Sequence, residues 1–178
     1  MNDREFANRI TNSHSDFLPT FLSLLAEQDI PFCVIGGLAV NAYAEPVVSL
    51  DLDLVVVADR LDELAELLGP RFTIRRFPHS LNVSSLASDL RIQIQTDPEY
   101  QAFICRAARH VVLGYEIPVA ALADVLQGKV WAFSDPTRRP SKRQKDLADI
   151  MRLVETHPHL LALLPHSLRT RLSADLGE

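Results

Sequence analysis

The chain has 178 residues, of which 47% are hydrophobic and 23% charged, and its net charge is −5. That is enough apolar material for one folded domain, and the acidic balance gives no general attraction to nucleic acid or to an anionic membrane. No run approaches membrane-spanning length and the polar N-terminus carries no signal-peptide pattern, so a cytoplasmic protein with no membrane partner is expected. The two cysteines, Cys33 and Cys105, lie in apolar company and read as buried free thiols.

Residues 1 to 13 are polar and are expected to be loosely held. From Ser15 to Glu27 the apolar positions Phe17, Leu18, Phe21, Leu22, Leu24 and Leu25 repeat with helical spacing. Phe32 to Ile35 is a short apolar strand stopped by Gly36 and Gly37. A helix-compatible piece, Leu38 to Ala44, is closed by Glu45-Pro46. The next strand carries Asp51 and Asp53. Side chains alternate along a strand, so these two carboxylates share one face while Leu52 and Leu54 take the other. Two carboxylates on a strand otherwise made of Val and Leu repel one another and are costly to desolvate. A divalent cation between them reverses the balance. Hard oxygen donors of this kind suit Mg2+ (or Mn2+), which commonly also takes phosphate oxygens.

Asp59 is placed to cap a helix with apolar residues Leu61, Leu64, Leu67 and Leu68, stopped by Gly69-Pro70. Three extended segments follow: Phe72 to Phe77, Ser80 to Ser85, and Leu90 to Gln95. The last sets Ile92 and Ile94 against Arg91, Gln93 and Gln95, a half-buried strand with a polar face. A helix is expected after Pro98, and Val111 to Leu113 and Tyr115 to Ile117 are expected as edge strands. From Val119 the pattern turns helical, with one helix to Phe133, a proline-containing loop to Pro140, a second helix from Ser141 to Thr156, and one or two short helices in the tail. The predicted organisation is an α/β (α+β) core over residues 1–118 with a helical C-terminal part, residues 119–178, packed on it.

On the first late helix, Val119, Leu122, Val125, Leu126, Val130 and Phe133 form an apolar arc, and Lys129 falls near its middle. A lysine there must snorkel out or meet an anion inside. On the second, Leu147, Ile150, Met151, Leu153 and Val154 form the arc, with Asp146 inside its border and Lys145 and Arg152 outside. Lys129 and Asp146 either make an interhelical ion pair or face a cleft shared with Asp51 and Asp53. Between the helices Arg138, Arg139, Lys142, Arg143 and Lys145 form a basic cluster, which is either a solvated helix start or a contact for triphosphate or an RNA backbone. The six histidines form no metal pattern.

The ordered elements Ile35-Gly36-Gly37, then Asp51-x-Asp53 on the next strand, resemble the signature of the polymerase-beta-like nucleotidyltransferase superfamily. The wording Gly-Gly-Leu-Ala-Val-Asn-Ala-Tyr, Lys129 with Ala132, and Lys145-Asp146 with Asp149 resemble the small bacterial branch of AbiEii/AbiGii toxin-type enzymes. The resemblance spans Pro31 to Val154. It implies a nucleotidyltransferase-like mixed sheet flanked by helices. It implies transfer of a nucleotide from an NTP, with Mg2+ or Mn2+, to a hydroxyl of an RNA, tRNA, protein or small molecule. It also implies a toxin–antitoxin context with a cognate antitoxin. Gly36 and Gly37 would let backbone amides approach the phosphates. Asp51 and Asp53 would hold the metal, Ser49 would hydrogen-bond a phosphate, Lys129 and Lys145 would pair with the nucleotide, and Asp146 would orient Lys129 or a substrate hydroxyl. The superfamily's third carboxylate is replaced: its position falls on Gln93, which is neutral and cannot act as a general base. That departure keeps a second expectation in view, a nucleotidyltransferase fold that binds a nucleotide or a protein without turnover.

Overall fold

The computed structural model describes residues 5, 8, 9, 11, 12 and 16–176. The expectation for residues 1 to 13, and the Ser15 start of the first helix, lie largely outside the described residues. The elements in order are α1 (Phe17–Glu27), β1 (Phe32–Ile35), α2 (Gly36–Val40), β2 (Asp51–Val56), a 3-10 turn (Ala58–Arg60), α3 (Leu61–Leu68), β3 (Thr73–Phe77), β4 (Ser80–Ser85), β5 (Ser88–Gln95), a 3-10 helix (Pro98–Arg106), β6 (Ala108–Val112), β7 (Tyr115–Val119), α4 (Leu122–Ser134), α5 (Pro140–Thr156), a 3-10 helix (Pro158–Leu163) and α6 (His166–Leu176).

The strands form one mixed sheet in the order β3-β4-β5-β2-β1-β7-β6. The mixed α/β class expected from the sequence is the class observed. β1 and β2 are antiparallel, with Ile35 across from Asp53, so the end of one strand delivers the diglycine beside the carboxylates of the next. β2 and β5 are parallel, with Asp51 across from Arg91 and Asp53 across from Gln93. Leu52, Leu54, Ile92 and Ile94 are fully buried, and they share the sheet face opposite Asp51, Asp53 and Gln93. Leu64 and Leu68 of α3, with Phe17, Phe21 and Leu25 of α1, belong to the same buried core. α2, α4 and α5 touch one another, and α4 and α5 bring polar side chains to the carboxylate side of the sheet.

Several local expectations are corrected. β7 is an inner strand, between β1 and β6. β7 pairs with β1 only at Val119, so Pro118 is spared a donor's role there. Val119 ends that strand, and the following helix starts at Leu122. Asp59 lies in the 3-10 turn, and no side chain caps α3. The short helix begins at Gly36 itself and stops at Val40. The helix expected after Pro98 winds as 3-10, whose three-residue repeat turns Cys105 out to solvent, while Cys33 is buried. Burial pushes the Cys33 thiol up to about 12, with Asp124 adding to the shift, so it is an inert core thiol. Among the described residues no helix is long and apolar enough to cross a membrane.

A core prediction follows from this packing. Leu52→Ala removes a fully buried side chain from the strand that carries both aspartates. It is expected to cost about 2–5 kcal/mol in urea unfolding. A loss within about 0.5 kcal/mol, the range of exposed positions, would contradict the placement of Leu52 in the core.

Candidate active site

The cleft lies over the carboxylate face of β2 and β5, walled by the 3-10 helix after Pro98 and roofed by α4 and α5. Its lining includes Gly36, Asp53, Gln93, Tyr100, Asp124, Lys129, Arg138 and Asp146, and its volume is about 90 Å³. Asp53 is half-buried. Among the described residues no hydrogen bond or ion pair reaches its carboxylate. Burial raises its pKa, with Lys129, Lys145 and Arg138 opposing the shift and Asp51 reinforcing it. A carboxylate withdrawn from water without a partner is costly and marks a position built for something other than stability.

Gly36 explains how Asp53 fits. Its φ is +70°, and a Cβ built on it would stand 2.2 Å from Asp53 Oδ2. The carboxylate therefore rests in the space a side chain would fill. A Cβ on Gly37 would meet only Ser49 Oγ, at 3.9 Å. Ser49 Oγ is itself 3.3 Å from both the Asp51 amide and the Asp51 carbonyl, which fixes the entry to β2.

Asp51 projects on the same face as Asp53 but is drawn sideways. Arg91 Nε donates to its Oδ1 at 2.7 Å, and Lys142 Nζ lies 3.8 Å from its Oδ2. Both cations are substantially exposed, with side-chain exposures of 65% and 41%. Exposed pairs of this kind contribute little and are easily exchanged.

Lys129 makes the expected ion pair, and the cleft it faces is lined by Asp53 but not by Asp51. It lines the cleft and is also held in an interhelical ion network, 3.2 Å from Asp146 Oδ1 and 2.6 Å from Asp149 Oδ2. Arg138 Nε reaches Asp146 at 2.6 Å, and Arg152 Nη1 reaches Asp149 at 2.8 Å. Arg152 Nη2 also donates to Asn41 Oδ1 at 2.8 Å and to the Glu45 carbonyl. Asn41 in turn holds both the amide and the carbonyl of Val47. The network thus ties α5 to the loop that leads into Asp51. The signal for Arg152 was its position one turn after Asp149 on the helix; its partner Asn41 lies 111 residues away and is invisible in the sequence.

Of the basic cluster, Arg138 and Lys142 turn toward the site. Arg143 instead donates to the Phe133 carbonyl at 2.7 Å. Lys145 is exposed on α5 and is not among the lining residues. Gln93 is exposed beside Asp53 in the β2–β5 register. Tyr100, missed as a lining residue, has its phenol pushed up to about 12, chiefly by burial and then by Asp97, so it is a neutral donor at physiological pH.

No family model matches the chain, and no curated protein matches it. Solved structures do. The crystal structure of ANT(2")-Ia in complex with adenylyl-2"-tobramycin superimposes with a TM-score of 0.57 at 16% identity, covering 90% of this chain and 97% of that one. The lincomycin-bound lincosamide antibiotic adenylyltransferase LnuA gives 0.53 at 12% identity, covering 79% and 98%. An antigenic nucleotidyltransferase-like protein from Paracoccidioides brasiliensis gives 0.50 at 14% identity, covering 86% and 82%.

The chain has the nucleotidyltransferase fold.

Within that fold the two glycines separate by substitution. Gly36→Ala forces a left-handed backbone, at about 1–2 kcal/mol, and drives Asp53 from its place. Gly37→Ala meets no clash and is expected to leave the melting temperature within a few degrees. If both variants melt alike, the packing of Asp53 on Gly36 is not what selects glycine there.

Among the described residues no cluster of three or more His, Cys, Asp or Glu forms a metal cage. The unpaired Asp53 carboxylate beside Asp51, with the Gln93 amide adjacent, nevertheless fits Mg2+ or Mn2+. Mg2+ takes one or two protein carboxylates and completes its shell with water and substrate phosphate.

Proposed function

We propose that this chain is a nucleotidyltransferase that moves an NMP group from an NTP to an oxygen of a second substrate, releasing pyrophosphate. The observation that carries the proposal is the half-buried Asp53 carboxylate, unpaired and packed on the Gly36 turn. Asp51 and Asp53 would hold Mg2+ or Mn2+. That cation, when bound, neutralises charge on the triphosphate and polarises the phosphoryl oxygens. Gly36 and Gly37 would admit the phosphates close to the backbone, with Ser49 beside them. Lys129, held in place by Asp146 and Asp149, would contribute positive potential to the cleft without moving, and Arg138 adds to it. Lys145, exposed outside the lining, would act on the nucleotide only at longer range. A cleft of about 90 Å³ is below the usual size for a whole ligand. It suits the charged tail of the nucleotide.

Of RNA or tRNA, protein and small molecule as acceptor, the last is favoured by the likeness to a lincosamide antibiotic adenylyltransferase and to a protein solved in complex with adenylyl-2"-tobramycin. Membership of the AbiEii/AbiGii branch, and with it a toxin role and a cognate antitoxin, rests on the motifs around Gly36, Lys129 and Asp146. Incubation with α-labelled NTP, Mg2+ and candidate acceptors is expected to give labelled product. Asp51→Ala and Asp53→Ala are expected to lower the rate on the order of 100-fold or more. Undiminished transfer in those variants would overturn the proposal.

A second function is favoured by one specific feature: a nucleotide- or protein-binding module without turnover. Gln93 supplies no base, and Arg91 competes for Asp51. That function predicts saturable NTP binding with no transfer to any acceptor.

A further inference from the structure

The groups around Asp53 lack a base for an acceptor hydroxyl. An alcohol must surrender its proton to attack phosphorus. Asp146 is held by Lys129 and Arg138. Asp124 is held by two guanidinium hydrogen bonds from Arg106, each 2.8 Å. Asp53 is committed to the cation in the function proposed above. Tyr100 is a donor, Gln93 and Gln95 are amides, and no histidine lines the cleft among the described residues. An acceptor whose oxygen is already ionised needs none of these.

The strand beside the carboxylates is built for such an acceptor. Arg91 stands across from Asp51, and Ser84 stands across from Arg91 on the next strand. Gln93 stands between Asp53 and Asn82 in the same way, and Arg75 follows on β3. Paired residues share a face, so these side chains form a polar strip leading away from the reacting position. Asn82 Oδ1 is closed to solvent and, among the described residues, has no hydrogen-bond partner, so its amide would have to turn outward to meet a ligand hydroxyl. Arg91 and Lys142 both flank Asp51. When Asp51 turns to a cation, both are released beside the site.

We infer that the acceptor is a small, hydroxyl-bearing phosphate monoester, gripped by Arg91 with Lys142, whose phosphate oxygen attacks directly. This rests on the nucleotidyl-transfer function and narrows its substrate. A phosphate monoester has a second pKa of about 6 and is largely dianionic at neutral pH. One of its oxygens forms a bond to the α-phosphorus of the NTP. The bond from that phosphorus to the oxygen bridging the β-phosphorus breaks, and pyrophosphate leaves with the electron pair. The product is a phosphoanhydride, and no proton has to be taken from the acceptor. Gln93 and Asn82 would read the acceptor's hydroxyls, so the neutral residue in place of a carboxylate has a use. Arginine's planar fork matches a phosphate bidentately.

The test offers wild-type protein, α-labelled NTP and Mg2+ a panel of sugar phosphates, the same sugars without phosphate, and a 5′-phosphorylated oligonucleotide. Label is expected on the small phosphate esters, in products showing two coupled phosphorus-31 resonances of a phosphoanhydride. Arg91→Gln is expected to raise the KM for the phosphate ester at least about tenfold, the loss of a charge-assisted contact, and to leave the KM for NTP within about threefold. Without turnover, inorganic phosphate should raise the melting temperature of the wild type more than that of Arg91→Gln. Transfer to unphosphorylated sugars at a comparable rate, preference for the oligonucleotide, no labelled product from any phosphate ester while NTP still binds, or an unchanged KM in Arg91→Gln would each overturn the inference. Absence of any NTP-dependent thermal shift would instead overturn the nucleotidyl-transfer function beneath it.

Discussion

Asp53→Asn is expected to abolish nucleotidyl transfer and to make the metal-free protein more stable. Asp53 is half-buried, no hydrogen bond or ion pair among the described residues reaches its carboxylate, and burial holds its pKa above the ordinary carboxylate value. For an acid with a raised folded pKa, the unfolded chain releases its proton first as pH rises. Folding stability therefore falls between the unfolded pKa, about 3.9 for Asp, and the higher folded value, and the whole penalty persists above it. Asparagine carries no such penalty. The stability gain of the variant should be absent in acid below the unfolded pKa. It should grow through the window between the two pKa values and be constant at neutral pH. Thermal melts across pH, without divalent cation, check this. A variant less stable than wild type at neutral pH, or a gain largest in acid, would show that Asp53 has a stabilising partner. The opposed effects on stability and activity are the usual signature of a site strained for function.

Lys129→Met is expected to damage the fold as well as the chemistry. Lys129 is buried between Asp146 and Asp149, and removing one member of a buried ionic group leaves the others uncompensated. Arg138 and Arg152 still serve the two carboxylates, which places the cost at the lower end of the usual range, about 3 kcal/mol. For a chain of this size that is a fall in Tm of roughly 6–12 °C. Lys145→Met, an exposed lysine on α5, should change stability by no more than about 0.5 kcal/mol. If Lys129→Met melts like wild type, the lysine is held for ligand contact alone and the network from α4 through Arg152 to the Asn41 loop is not cooperative.

Much of the site could be read before the fold was known, because the relevant information is periodic. A two-residue alternation puts Asp51 and Asp53 on one face whatever the sheet order. A helical repeat puts Lys129 and Asp146 on inward arcs whatever they meet there. The flanking Ile92 and Ile94 located Gln93. What escaped depends on long-range pairing. Arg91 reaches Asp51 only because β5 lies parallel beside β2, an arrangement with no local signal. The same holds for Arg152 and Asn41. β7 was misplaced because its neighbour β1 lies 80 residues or more earlier in the chain, and only Val119 is in register with it. Cys105 was misjudged because a 3-10 turn rotates side chains by a different step from an α-helix.

The central claim is that Asp53, seated on Gly36 beside Asp51, receives a cation carrying a triphosphate. Calorimetric titration of an NTP into the wild type and into Asp53→Asn, with and without Mg2+, tests it most directly. Saturable binding is predicted for the wild type only when Mg2+ is present, with that dependence lost in Asp53→Asn. Equal, Mg2+-independent affinity in the two proteins, or no binding to the wild type, would contradict it.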